Sequence, residues 1–128
     1  MATPDRKTRA APATAGAVLT KATLRAAGLL GLSNAAVARI VGVSEATMSR
    51  MAAGERSFEP GTKPAELAAL LVRVYRSLDA LVGNSEPHRQ LWFASFNRAF
   101  NQAPREAIET VDGLTRVVRY LDGARALA

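Results

Sequence analysis

Residues 34 to 54, Asn-Ala-Ala-Val-Ala-Arg-Ile-Val-Gly-Val-Ser-Glu-Ala-Thr-Met-Ser-Arg-Met-Ala-Ala-Gly, leave the backbone few options. Two short apolar-patterned segments meet at Gly42, and the spacing predicts a helix-turn-helix. The small Ala38 lets the two helices approach, Gly42 supplies the turn, and Val37, Val41, Val43, Met48 and Met51 fill the seam. Ser44 is placed to cap the second helix, accepting from backbone N–H groups that are otherwise orphaned. A second helix held in this way can lay its N-terminal side chains on base edges in the major groove.

The seam alone does not specify DNA, because helical hairpins that bind nothing need the same packing. The outward face adds the chemistry. Ser44, Glu45, Ala46, Thr47, Ser49 and Arg50 are small or polar, and an Arg can donate twice to one guanine. The plainer reading of the same residues is a solvated helix face with one Arg.

Charge favours the first reading. The chain carries 17 Lys plus Arg against 11 Asp plus Glu, a net +6. Residues 1–63 hold nine of the cations and four of the acids, giving +5, whereas residues 64–128 hold eight and seven, giving +1. The basic half contains the helix-turn-helix, and a phosphate backbone rewards that placement through counterion release. Residues 1–13, with Pro4, Pro12, Arg6, Lys7 and Arg9, read as a disordered basic arm, either a phosphate-seeking extension or a frayed terminus.

At 128 residues and 48% hydrophobic, the chain can bury one core or two small helical modules sharing an interface. No run is long enough for a membrane span, no secretory signal is present, and there is no cysteine, so a cytoplasmic protein is expected.

Nearly everything after residue 14 reads as helix. Val18, Leu19, Ala22, Ala26 and Leu29 or Leu30 predict an inward stripe on a first helix ending at Gly31. Gly54 closes the recognition helix, residues 56–63 form a connection, and Pro64 suits the first turn of the next helix. There Leu67, Leu70, Leu71, Val74, Tyr75, Leu78, Leu81 and Val82 follow helical spacing up to Gly83. Ser85-Glu86-Pro87 predicts a cap and first turn leading into a helix from His88 to Phe100, with Trp92, Phe93, Phe96, Ala99 and Phe100 as an aromatic stripe. That stripe reads first as core and second as a partner anchor. Pro104 opens a short helix through Glu109. Thr110 caps a last helix with Leu114, Val117, Val118 and Leu121 inward. Past Leu121 the tail adds Gly123, one Arg and little core material.

No catalytic residue, metal-ligand set or cofactor is predicted. The single histidine, His88, falls in a first helical turn, where an exposed or locally bonded role is expected. Glu106 and Glu109 are explained by solvated pairing among arginines. No Gly-rich phosphate loop occurs.

The helix-turn-helix followed by Pro60-Gly-Thr-Lys-Pro-Ala-Glu-Leu-Ala, then Leu71-Val-Arg-Val-Tyr-Arg-Ser-Leu-Asp-Ala-Leu-Val-Gly83, resembles the MbcA/ParS/Xre antitoxins. So does Pro104-Arg-Glu-Ala-Ile-Glu-Thr-Val-Asp-Gly-Leu-Thr-Arg-Val-Val-Arg-Tyr-Leu-Asp122 after the Trp92-Phe93 pair. The resemblance covers residues 15 to 127. The ordered set Trp-Phe, Pro-x-x-x-Ile, Gly-Leu and Tyr-Leu-Asp is more specific than a lone helix-turn-helix. One departure stands out: Asn101-Gln102 occupies the place of the family's Gly-Gly turn. Asn101 tolerates a left-handed conformation better than Gln102 does.

The resemblance implies an all-α protein, with an N-terminal helix-turn-helix bundle followed by a small C-terminal helical toxin-binding domain. It divides the chain into an arm at 1–13, a DNA-binding domain at 14–63 and a toxin-binding domain at 64–128. The implied partners are a cognate RES-domain toxin that destroys NAD⁺ and operator DNA, in a homodimer or a higher-order complex with toxin, without a membrane. Neutralisation is then steric, and the last helix and tail supply Arg116, Arg119, Tyr120, Asp122 and Arg125 as candidate toxin contacts. An ordinary polar helix face explains those five residues equally well. The rival function is a stand-alone repressor whose C-terminal module only dimerises it, and a small enzyme with an unrecognised site stands third.

Overall fold

The computed structural model describes residues 14–127. Among them it holds seven helices: α1 (Ala15–Leu30), α2 (Asn34–Val41), α3 (Glu45–Ala52), α4 (Lys63–Leu81), α5 (Glu86–Ala94), α6 (Pro104–Ala107) and α7 (Val111–Leu127). The basic arm expected at 1–13 lies outside the described residues.

Hydroxyl caps fix where the helices start. Thr14, Ser33, Ser44, Thr62 and Ser85 accept from the backbone N–H groups of Ala17, Ala36, Thr47, Ala65 and His88. Each cap satisfies one orphan donor and is worth about 1 kcal/mol. Gly42 turns between α2 and α3 at φ 78°, a left-handed conformation that its missing side chain permits. Thr110 opens α7 by accepting from Gly113 N at 3.0 Å.

The long α4 is the spine. It packs against α1 and α2 on one side of the chain order and against α7 on the other. Leu67, Ala68, Leu71, Val74 and Leu78 are among its buried positions, and one continuous core runs from Val37, Val41, Met48 and Met51 of the seam to Leu114, Val117, Val118 and Leu121 of α7. The expected inward positions of the seam and of α7 are therefore found where their spacing put them.

Elsewhere the apolar count mis-phases the chain. Val18 is 56% exposed, because the inward stripe of α1 consists of Gly16, Thr20, Thr23, Ala26, Ala27 and Leu30. Thr20 and Thr23 hide their hydroxyls by donating to the carbonyls of Gly16 and Leu19, both at 2.7 Å. Thr20 Oγ1 also accepts from Phe58 N at 2.8 Å, which seats the buried Phe58 of the connection on α1. Leu81, at the last turn of α4, is exposed.

The helix expected from His88 to Phe100 stops at Ala94. Ser95 is extended and donates to Leu91 O, Asn97 Oδ1 accepts from Ala99 N at 2.9 Å, and Asn97 N donates to Gln102 O at 3.1 Å. These short polar side chains offer the backbone bonds that compete with a helix. Asn101 takes the left-handed conformation at φ 58°, and Gln102 does not. As a consequence Phe96 and Ala99 leave the expected stripe for solvent, Trp92 is half-buried, and only Phe93 and Phe100 enter the core. The short helix after Pro104 ends at Ala107, with Ile108 buried beyond it and Glu109 exposed. The tail past Leu121 continues α7 to Leu127 and is tied to α4 through Asp122.

Candidate functional site

The first candidate surface is built by the cap and the seam. Ser44 Oγ accepts from Thr47 N and bonds Thr47 Oγ1, both at 3.0 Å, while Met48 and Met51 anchor the inner side of α3. That rotation leaves Ser44, Glu45, Ala46, Ser49 and Arg50 exposed and Thr47 half-buried, so the six residues expected at a groove share one outward surface. Arg50 enters no ion pair among the described residues. Glu45 suits the positive end of its own helix, and it repels a phosphate.

Three cations that sequence reasoning did not single out lie at the C-terminal end of the same helix. Lys21, Arg25 and Arg56 line one groove with Met51, Ala52 and Gly54 at the end of α3. All three are exposed, and none is salt-bridged among the described residues. Only the fold reveals them, since they come from α1 and from the connection. Arg39, the cation of α2, is instead committed to Glu109, with Nε to Oε1 at 2.9 Å and Nη2 to Oε2 at 3.3 Å. That bond and the opposite charge raise the Arg39 guanidinium's affinity for its proton and hold the Glu109 carboxyl below its usual range.

The second candidate surface lies on α5 and α7. Trp92 meets Phe100 edge-on at 6.3 Å between ring centroids and Tyr120 at 6.2 Å, and Phe100 meets Tyr120 at 5.3 Å. The outer side of Trp92 lines a groove with Val82, His88, Leu91, Ser95, Phe96 and Asn97. Leu91 and Phe96 are 65% and 64% exposed there, large apolar groups left in water. His88 Nδ1 lies 2.8 Å from Ser85 Oγ, a local bond within the first turn.

The five candidate toxin contacts fall on two faces of α7. Arg116, Arg119 and Tyr120 are exposed on one side, where Arg116 donates to Ala99 O at 3.5 Å and pairs with Asp112 at 3.6 Å. Asp122 and Arg125 turn toward α4. Asp122 pairs with Arg73 and accepts from Ser77 Oγ at 3.3 Å, and Arg125 donates to Ser77 Oγ at 3.1 Å. The structure brings Tyr120, not Asp122 or Arg125, to the aromatic cluster of Trp92 and Phe100.

No group of metal-ligating side chains occurs among the described residues, and no described helix is long and apolar enough to cross a membrane. Compared with known families, residues 9–73 match the antitoxin Xre-like helix-turn-helix domain, and residues 77–126 match the antitoxin Xre/MbcA/ParS C-terminal toxin-binding domain. The two matches meet inside α4. Comparison with curated proteins gives no match.

Proposed function

Because the chain belongs to the Xre/MbcA/ParS antitoxin family, we propose that it is the antitoxin of a type II pair that sterically blocks a RES-domain, NAD-degrading toxin and represses its own operon. The observation that carries this reading is that the two candidate surfaces share no residue. Arg50 on α3, in no ion pair among the described residues, and a groove at the end of α3 that holds Lys21, Arg25 and Arg56 form the basic surface, and an apolar aromatic face stands on α5 and α7. Operator DNA takes the first surface, with Arg50 on a guanine and the other cations on phosphates. The toxin takes the second, which includes Arg116, Arg119 and Tyr120, with Asp122 and Arg125 on its α4 flank. The working assembly is a homodimer or a larger complex with toxin in the cytoplasm, residues 14–63 serving DNA and residues 64–128 serving the toxin.

The test combines two assays on purified full-length protein. NAD⁺ cleavage by the RES-domain toxin is expected to fall to background at stoichiometric antitoxin. Gel shifts of its own promoter are expected to weaken steeply with salt. A promoter shift without inhibition would leave the stand-alone repressor.

A further inference from the structure

Leu91 and Phe96 stand out because the fold has apolar positions available and yet leaves these two in solvent. They line one groove together with Val82, Trp92 and Asn97. We propose that this groove on α5 is the anchoring point for the toxin, receiving an apolar side chain that projects from an acidic surface of that partner. The inference rests on the antitoxin reading and places the energetic centre of the interface on α5, whereas the sequence had pointed to the basic face and tail of α7.

Three observations select this occupant. Every residue of the groove lies within 77–126, the segment that matches a toxin-binding domain. Trp92, which lines the groove, also meets the exposed Tyr120 of α7 at 6.2 Å between ring centroids, so the groove and the α7 face share a residue contact. Two exposed cations adjoin the patch in the chain, Arg98 in the turn beside Asn97 and Arg119 next to Tyr120, against one exposed acid, Glu86 in the first turn of α5. A second copy of the chain seated on this patch would set those cations against their own equivalents, whereas a partner with carboxylates around an apolar knob would pair with them. Exposed aromatic and aliphatic groups ringed by polar ones are the usual composition of an interface hot spot.

Leu91→Glu and Phe96→Glu, made in the full-length chain, test the proposal without touching the core. Each is expected to weaken binding of the purified RES-domain toxin by about thirtyfold or more in titration calorimetry, the scale of a hot-spot residue. Melting temperature and promoter affinity should stay at wild-type values. Toxin affinity unchanged in both variants overturns the proposal. So does a change in self-association by light scattering with toxin affinity intact, which would make the groove a contact between copies. Failure of the wild type itself to bind toxin would instead overturn the antitoxin reading, and this proposal with it.

Discussion

Arg89 of α5 donates through Nη1 to the carboxylate of Asp79 in α4 at 2.7 Å, with the Arg89 side chain almost fully buried. The same guanidinium donates to Leu29 O at 3.3 Å and lies 5.6 Å from the centre of the Tyr75 ring. Gln90 Nε2 reaches Leu29 O at 2.9 Å, and Arg105 reaches Gly31 O at 3.0 Å. Side chains from α5 and α6 thus occupy carbonyls at the C-terminal end of α1, where orphan acceptors and the negative end of the dipole favour cations. The helix-turn-helix bundle and the toxin-binding segment are joined there. Asp79→Asn removes the negative charge while leaving Arg89 an amide oxygen, Leu29 O and the Tyr75 ring, so it should cost about 1–3 kcal/mol. Urea unfolding checks the value, and a wild-type midpoint would show that solvent reaches Arg89.

A second tie between the halves, Arg39 to Glu109, is exposed and should act differently. The carboxyl of Glu109 is held below its usual range by Arg39, so its folded-state pKa lies under its unfolded value. The sign follows: its stabilisation is present above the unfolded pKa and is lost as pH falls through the folded one. Glu109→Gln should therefore melt below wild type at neutral pH and converge with it in acid. High salt should shrink the neutral-pH gap. A gap that persists in acid would assign the effect to packing.

Gly113 explains one of the motifs. A Cβ at this position would stand 1.9 Å from Ala107 O, so the first turn of α7 can lie on the end of α6 only because the side chain is missing. Gly113→Ala should displace α7 and cost about 1–3 kcal/mol, the range for overpacking. Thermal melts read the cost. Toxin affinity should fall with it, since Tyr120 moves with the helix.

The seam, the capped starts of the helices and the inward residues of α7 were legible because each follows from spacing and from one hydroxyl or glycine. Thr20 and Thr23 were not, since their burial depends on back-bonding to their own helix and on the N–H of Phe58, 38 residues away for Thr20. The break at Ser95 had a local signal in the Ser, two Asn and Gln that follow, which the aromatic periodicity masked. Candidate site residues on α3 share one outward surface because the buried Met48 and Met51 fix which side of the helix faces the core. Lys21, Arg25 and Arg56 were illegible, because no sequence rule sets α1 and the connection beside α3.

Those cations allow a graded test on DNA. Arg50→Ala should cost about 1–3 kcal/mol at the cognate site and relax base preference at one position. Arg25→Gln and Arg56→Gln should weaken all sequences alike and lower the salt slope by about 0.9 each. Gel-shift titrations at several salt concentrations distinguish the two patterns. An unchanged slope would remove the groove from the DNA surface.

A truncation of the tail tests whether anchoring and blocking are separate. Asp122 holds Arg73 and Ser77, so a cut before it should loosen the end of α7 from α4 and lower stability as well as function, although Leu114, Val117, Val118 and Leu121 keep the rest of α7 in the core. A cut after Asp122 removes residues 123–128, whose described side chains contribute the Arg125 to Ser77 bond and Leu127, 90% exposed. Such a terminal loss should stay within about 1 kcal/mol of wild-type stability. The α5 groove is untouched, so the shorter protein should still bind toxin with near wild-type affinity and still shift its promoter. Where the end of α7 covers the toxin's substrate entrance, losing it should restore NAD⁺ cleavage even when every toxin molecule is bound. Cleavage measured at saturating truncated antitoxin reads this directly. Complete inhibition under those conditions would assign the blocking role to Arg116, Arg119 and Tyr120, which the cut leaves in place.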